Sequence, residues 1–353
     1  MLLGSGSVAP ERADNQVQSS SADIEELQRV APAPHRFPTI QVALPDCRVR
    51  GVGNIVFRRP LVESFPQFLL FFLGHLFGQA WARRQMSLRG SRRHVVMRWL
   101  LEWDQWIRTH RGSPLLSPHP GKIVPTGSVL SLLWLAYDVY CLYHRRCLPD
   151  ELLDRMRDHR QFQGARYEAM VAAIFVRAGF SVHYTPAGRA KRCGFEAVWH
   201  PTHEILSVEA KSRHRPGQYN EGGTPPSGQA LRADIEGLVK AGLKQRALCI
   251  PFVMFIELNI PPTPKPLSPG PAWYYDIIDS LRRHGPSSAQ NPDDLNALFV
   301  TNYSPHLVAG SVMSAPGNSL SIFSQWPRHS LSIGALEALY SEFLAYGRIP
   351  DDA

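Results

Sequence analysis

"GFEAVWHPTHEILSVEAKSRHR", residues 194–215, is the stretch on which the fold turns. Apolar and polar residues alternate from Phe195 to Trp199 and again from Ile205 to Lys211, the period-two pattern of two strands. Pro201–Glu204 is the only turn-like cluster between them, so the stretch is expected to be a β-hairpin. With the turn there, His200 pairs with Ile205, Glu196 faces Glu209 and Gly194 faces Lys211. Phe195, Ala197, Trp199, Val208 and Ala210 share the opposite face. Two carboxylates directly across neighbouring strands repel by roughly 0.2–1 kcal/mol. A divalent cation between them reverses the sign, because Mg²⁺ is held by one or two carboxylates with waters and substrate phosphates. The charged face is therefore either solvated or the wall of a metal site.

Working outward, "GARYEAMVAAIFVRAGF" (164–180) sets Tyr167, Met170, Val171, Ile174 and Phe175 on one helical face and stops at Gly179. "SVHYTP" (181–186) follows as a strand, and Gly188–Arg192 forms a basic loop. After the hairpin, "RPGQYNEGGTPPSG" (215–228) is a Pro/Gly-rich loop and residues 229–248 carry helical spacing at Leu231, Ile235, Leu238, Val239 and Leu243. "PFVMFIELNIPP" (251–262) reads as a central strand. Residues 296–305 and 318–326 are expected to extend the sheet, and 333–347 to close the chain as a helix.

The order helix–strand–strand–strand–helix–strand, with Glu168 on the first helix and Glu209-Ala210-Lys211 on the third strand, resembles the PD-(D/E)xK nuclease superfamily. "FQGARYEAMVAAIFVRAGFSV" running into "VEAKSR" is the closest echo, and the likeness covers residues 164 to about 260. It implies an α/β (α+β) fold with a restriction-endonuclease-like αβββαβ core in residues 161–353. Before it, 36–160 reads by its spacing as mainly helical, with one or two short strands within 37–60, and 1–35 reads by its composition as a tail. The resemblance also implies that a strand acid and Glu209 bind Mg²⁺ or Mn²⁺, that Lys211 assists the attacking water, and that Glu168 supports the site. The strand aspartate of the superfamily falls at Gly194. Glu196, two residues on and on the same side, either replaces it as a metal ligand or is incidental. In the first case the chain is a metal-dependent nuclease; in the second it is a nuclease-fold module that binds nucleic acid or assembles with other subunits. Gln245 and Glu257 are set aside as a solvent-facing glutamine and a carboxylate outside the site.

Composition agrees with an anionic partner. Thirty-eight Lys and Arg against 30 Asp and Glu give a formal charge of +8 and a pI near 9.4, which favours nucleic acid; the resemblance implies DNA before RNA. "ARRQMSLRGSRRH" gathers Arg83, Arg84, Arg89, Arg92 and Arg93; with Arg213 and Arg215 they are candidate phosphate contacts, Arg92 and Arg93 foremost. An odd count of five cysteines with no paired CxxC spacing, and no secretory signal, points to a reducing, cytoplasmic setting. The apolar runs 65–82 and 128–143 are interrupted by polar residues and read as buried helices, not membrane spans. The resemblance also implies that pairing into a homodimer, or with partner subunits, is open to the chain.

Overall fold

The computed structural model describes residues 39–109, 125–185, 193–215, 218–219, 233, 235–261, 272–282, 287–308 and 319–350. The tail 1–35, the basic loop 188–192, and most of the Pro/Gly-rich loop 215–228 lie outside them. The chain opens with an antiparallel sheet of β1 (Ile40–Ala43), β2 (Arg48–Val52) and β3 (Ile55–Arg59), where one or two strands are expected from sequence. Helices follow: α1 (Phe65–Phe77), α2 (Gln79–Ser87), α3 (Val95–Thr109), α4 (Gly127–His144) and α5 (Asp150–Arg157). Ser64 and Gln67 form a reciprocal capping box at the start of α1, and Thr126 caps α4.

The second half runs α6 (Phe162–Arg177), β4 (Phe180–Tyr184), β5 (Phe195–Trp199), β6 (Glu204–Ser212), α7 (Glu236–Leu243), β7 (Phe252–Glu257), α8 (Ala272–Arg282), β8 (Ala297–Thr301), β9 (Ser319–Phe323) and α9 (Ile333–Leu344). The expected helix–strand–strand–strand–helix–strand order is present, and both later runs do extend the sheet. Its six strands lie in the order β4-β5-β6-β7-β8-β9, with β6–β7 and β7–β8 parallel and the rest antiparallel. The chain is thus a mixed α/β protein. Between α6 and β4 the chain reverses through Gly179 at φ +94°, a conformation that suits glycine.

Alternation along the strands decides which face each helix covers. Phe195, Ala197, Leu206, Val208, Phe255 and Phe299 pack with α6 and α9. Phe252, Met254, Ile256, Leu298 and Val300 pack with Val239 of α7 and Trp273 and Ile277 of α8. The helix over 229–248 is shorter than its spacing suggests, confined within the described residues to Glu236–Leu243.

Helix α6 is expected to show one apolar face, yet Ala169 to Val176 are buried all round. The sheet covers one side and α4 packs against it as well, so one hydrophobic core runs across residue 160. Where α4 meets α6, Arg177 pairs with Asp138 at 3.0 Å, and Tyr346 donates to the same carboxylate at 2.9 Å. No helix among the described residues is long and apolar enough to cross a membrane, and all five cysteines are free thiols.

Candidate functional site

The hairpin forms, but its register differs from the expected one by two residues. Trp199 pairs with Glu204, Glu196 with Ser207 and Phe195 with Val208. Because the slip is even, the same side chains stay on each face. The turn begins one residue earlier, at His200, with His203 in the left-handed region at φ 56°. Glu204 is drawn into the strand by a distant contact: its carboxylate accepts from the Ser332 N–H at 2.7 Å and from the Ser332 hydroxyl, at the N-cap of α9.

The facing pairs differ accordingly. Glu196 is not opposite Glu209, and Gly194 is not opposite Lys211. Continued one residue beyond β5, the register sets Gly194 across from Glu209, and the Gly194 N–H donates to Glu209 Oε2 at 2.9 Å. The glycine thus stands beside the glutamate as a backbone donor. A Cβ at Gly194 would find Val208 O as its nearest neighbour at 3.7 Å, an ordinary contact, so the position has room for a side chain.

Glu209 and Lys211 share the face covered by α7, since they pair with Met254 and Ile256 on β7. Glu209 is 5% exposed, and its Oε1 lies 2.5 Å from Lys211 Nζ. Burial raises its carboxyl pKa above the ordinary range, against the pull of the Lys211 ammonium and the Gly194 N–H. Lys211 Nζ also donates to Gln245 Oε1 at 2.5 Å. Gln245, set aside from sequence, therefore stands just beyond α7 as the third member of this cluster. A Cβ on Gly242 of α7 would come within 3.8 Å of Glu209 Cγ, so the helix closely walls the carboxylate.

The other expected members are near but engaged differently. Glu168 sits on α6, across the sheet, and pairs with Arg155 of α5 at 2.8 Å. Burial raises its pKa, Arg155 opposes that, and Glu209 and Lys211 are close enough to act on it too. Glu196 is half-buried on β5, two residues from Gly194, with His183 beside it on β4. Arg213 gives its N–H to Glu257 O, and its own carbonyl accepts from Gln163 and Asn259 at 2.7 and 3.0 Å. Arg215 donates through Nε to Leu258 O at 2.7 Å. Arg93 is committed to the end of α2, donating to the Gln85, Met86 and Leu88 carbonyls, whereas Arg92 is exposed. Among the described residues no group of three or more His, Cys, Asp or Glu side chains is placed to hold a metal ion.

Sequence reasoning missed the charged centre on the α6 face. Glu257, fully buried at the end of β7, pairs with Arg166 of α6 and accepts from Ser212 Oγ at 2.9 Å. Gln163 and Asn259 both donate to Ser212 Oγ, at 2.9 and 2.8 Å. A signal was available: "FIELN" places an acid and an amide in an otherwise apolar central strand, and buried charge demands a partner. Compared with protein-family models, curated proteins and solved structures, the chain gives no significant match.

Proposed function

We propose that the chain is a metal-dependent nuclease whose Glu209 and Lys211 act on a phosphodiester of DNA, or of RNA. The observation that carries this reading is the cluster of buried Glu209 with half-buried Lys211 and Gln245 beside the Gly194 N–H, within an αβββαβ succession that fits a restriction-endonuclease-like core. The donor set fits a hard cation sparingly: Glu209, with Glu196 on the neighbouring strand, supplies the one or two carboxylates that Mg²⁺ or Mn²⁺ uses alongside waters and phosphate oxygens. Bound there, the ion would supply positive charge to the phosphate and acidify a water.

The remaining roles fall to the chain. Lys211 carries a fixed positive charge at the carboxylate, where it can meet an attacking water or the charge building on a phosphate. Gln245 holds that ammonium in place, and the Gly194 N–H fixes one oxygen of Glu209 so that its other oxygen faces the lysine. Glu168 supports the site at one remove, through charge. The test is cleavage of a panel of single- and double-stranded DNA and RNA with and without Mg²⁺ or Mn²⁺. Divalent-dependent cleavage that Glu209→Ala and Lys211→Ala each abolish is expected; cleavage that persists in both variants removes the assignment.

One observation favours a second reading, a nuclease-fold module that binds nucleic acid without cutting it. Both oxygens of Glu209 are already engaged by the chain, and glycine stands where a second carboxylate is wanted. Salt-sensitive binding to DNA or RNA, with no cleavage and no metal-induced rise in melting temperature, would select it.

A further inference from the structure

Far along the chain from the hairpin, α2, the Gly90–Arg92 turn, the start of α3 and the end of α5 line a pocket of about 480 Å³. Small-molecule sites span about 300–1,000 Å³. His94, at the N-terminus of α3, forms part of its wall and is 1% exposed. Its backbone N–H donates to Gln85 Oε1 at 2.8 Å, and the ring is oriented by Nδ1 accepting from the Val96 N–H at 3.3 Å. Trp81 and Phe162 meet the ring edge-on at 5.3 and 4.9 Å. Because Nδ1 accepts, the proton resides on Nε2. Burial, reinforced by nearby positive charge, pushes the pKa down to about 3, so the ring is a neutral donor. That Nε2–H is buried and has no hydrogen-bond partner among the described residues. A buried orphan donor is costly and calls for an acceptor.

The rest of the lining is also rich in donors. Arg84 and Arg92 stand exposed at the rim, and neither side chain makes a hydrogen bond or ion pair among the described residues. Arg157 contributes a buried Nε without a partner among the described residues, while its Nη1 pairs with Asp154 at 2.6 Å and its Nη2 donates to Leu76 O. The pocket's two carboxylates are both engaged: Asp154 by Arg157, and Asp158 by the Arg160 N–H at 3.0 Å and Gln161 Nε2 at 2.8 Å. What remains unmatched is two guanidinium groups and two buried N–H donors, a set that suits an anion with several acceptor oxygens.

We propose that this pocket binds a phosphate group, carried either by a nucleotide-sized ligand or by the end of a nucleic-acid strand. A terminal phosphate brings three acceptor oxygens and close to two negative charges, matching the guanidiniums and the His94 donor. The inference stands apart from the Glu209–Lys211 chemistry, because phosphate capture needs neither turnover nor a divalent ion.

The test uses the full chain in metal-free, low-salt buffer. It is titrated with inorganic phosphate, adenosine monophosphate, and a 5′-phosphorylated oligonucleotide against its 5′-hydroxyl twin. The comparison protein is the double variant Arg84→Gln, Arg92→Gln, whose exposed positions leave the fold intact. A preference of about tenfold for the phosphorylated strand identifies the strand end as the source. Binding of phosphate or the nucleotide, with the two strands equal, identifies a small ligand. In either case the double variant should bind about tenfold more weakly. If the strands bind alike and neither small probe binds, or if the double variant keeps the full affinity, the proposal is overturned.

Discussion

Arg166–Glu257 and Lys211–Glu209 are both cation–carboxylate pairs at the β6–β7 half of the sheet, one on each face. The first is sealed. Glu257 is wholly buried, both of its oxygens are hydrogen-bonded, and its partner is a planar guanidinium that cannot shed its proton. The second is open on one side, with the Lys211 side chain 23% exposed and an ammonium on a flexible stem as the partner. A sealed pair fixes how α6 sits on the sheet; an open pair can exchange its partners for a ligand. The sealed pair suits a scaffold, and the open pair is where the proposed chemistry would sit.

The comparison breaks if the two pairs respond alike to mutation. Arg166→Met leaves a buried carboxylate without its cation and should cost about 3–5 kcal/mol in denaturant unfolding. Lys211→Met should cost less, about 1–2 kcal/mol, because the buried Glu209 carboxylate keeps the Gly194 N–H and the lysine is partly solvated, while on the proposed function it reduces cleavage by about a hundredfold or more. Equal losses of stability in the two variants would erase the distinction.

The Asp138–Arg177 pair sharpens it further. Burial raises the Asp138 carboxyl to about 6 from an ordinary 3.8, against the attraction of Arg177. A raised acid binds its proton more tightly in the folded state, so its contribution is fully present below about 3.8 and is lost as pH rises through about 6. Unfolding free energies measured from pH 4 to 7 should therefore decline more steeply for the wild type than for Asp138→Asn, which does not titrate. Parallel curves would deny the raised pKa.

Gly194→Asp is the mildest change and the most pointed. A Cβ there meets only an ordinary contact with Val208 O, and the aspartate would bring a second carboxylate beside Glu209. Metal affinity, read by calorimetry with Mn²⁺, should rise by about tenfold. An unchanged affinity would show that the glycine is not what limits the site.

Much of this was legible in the sequence, for reasons tied to particular residues. The period-two hairpin, the apolar β7 run and the Gly179 stop are local patterns, and local physics sets them. The face shared by Glu209 and Lys211 also follows from alternation alone. The register was not legible, because Glu204 is held by Ser332, 128 residues away. Gln245 could not be placed, because its value depends on where α7 ends relative to Lys211. The Arg166–Glu257 pair lay hidden for a related reason: the arginine reads as the polar side of an amphipathic helix until packing buries that side too.

The most direct test of the central claim, that Glu209 is the carboxylate of a working metal site, is a Mn²⁺ titration by calorimetry. Wild type is compared with Glu209→Gln and Glu196→Ala. Burial has raised the Glu209 carboxyl, so wild-type affinity should strengthen with pH beyond the usual carboxylate range as the proton leaves. Glu209→Gln should weaken binding by about tenfold or more and remove that pH dependence, with a smaller loss for Glu196→Ala. Affinity identical in wild type and Glu209→Gln would contradict the claim.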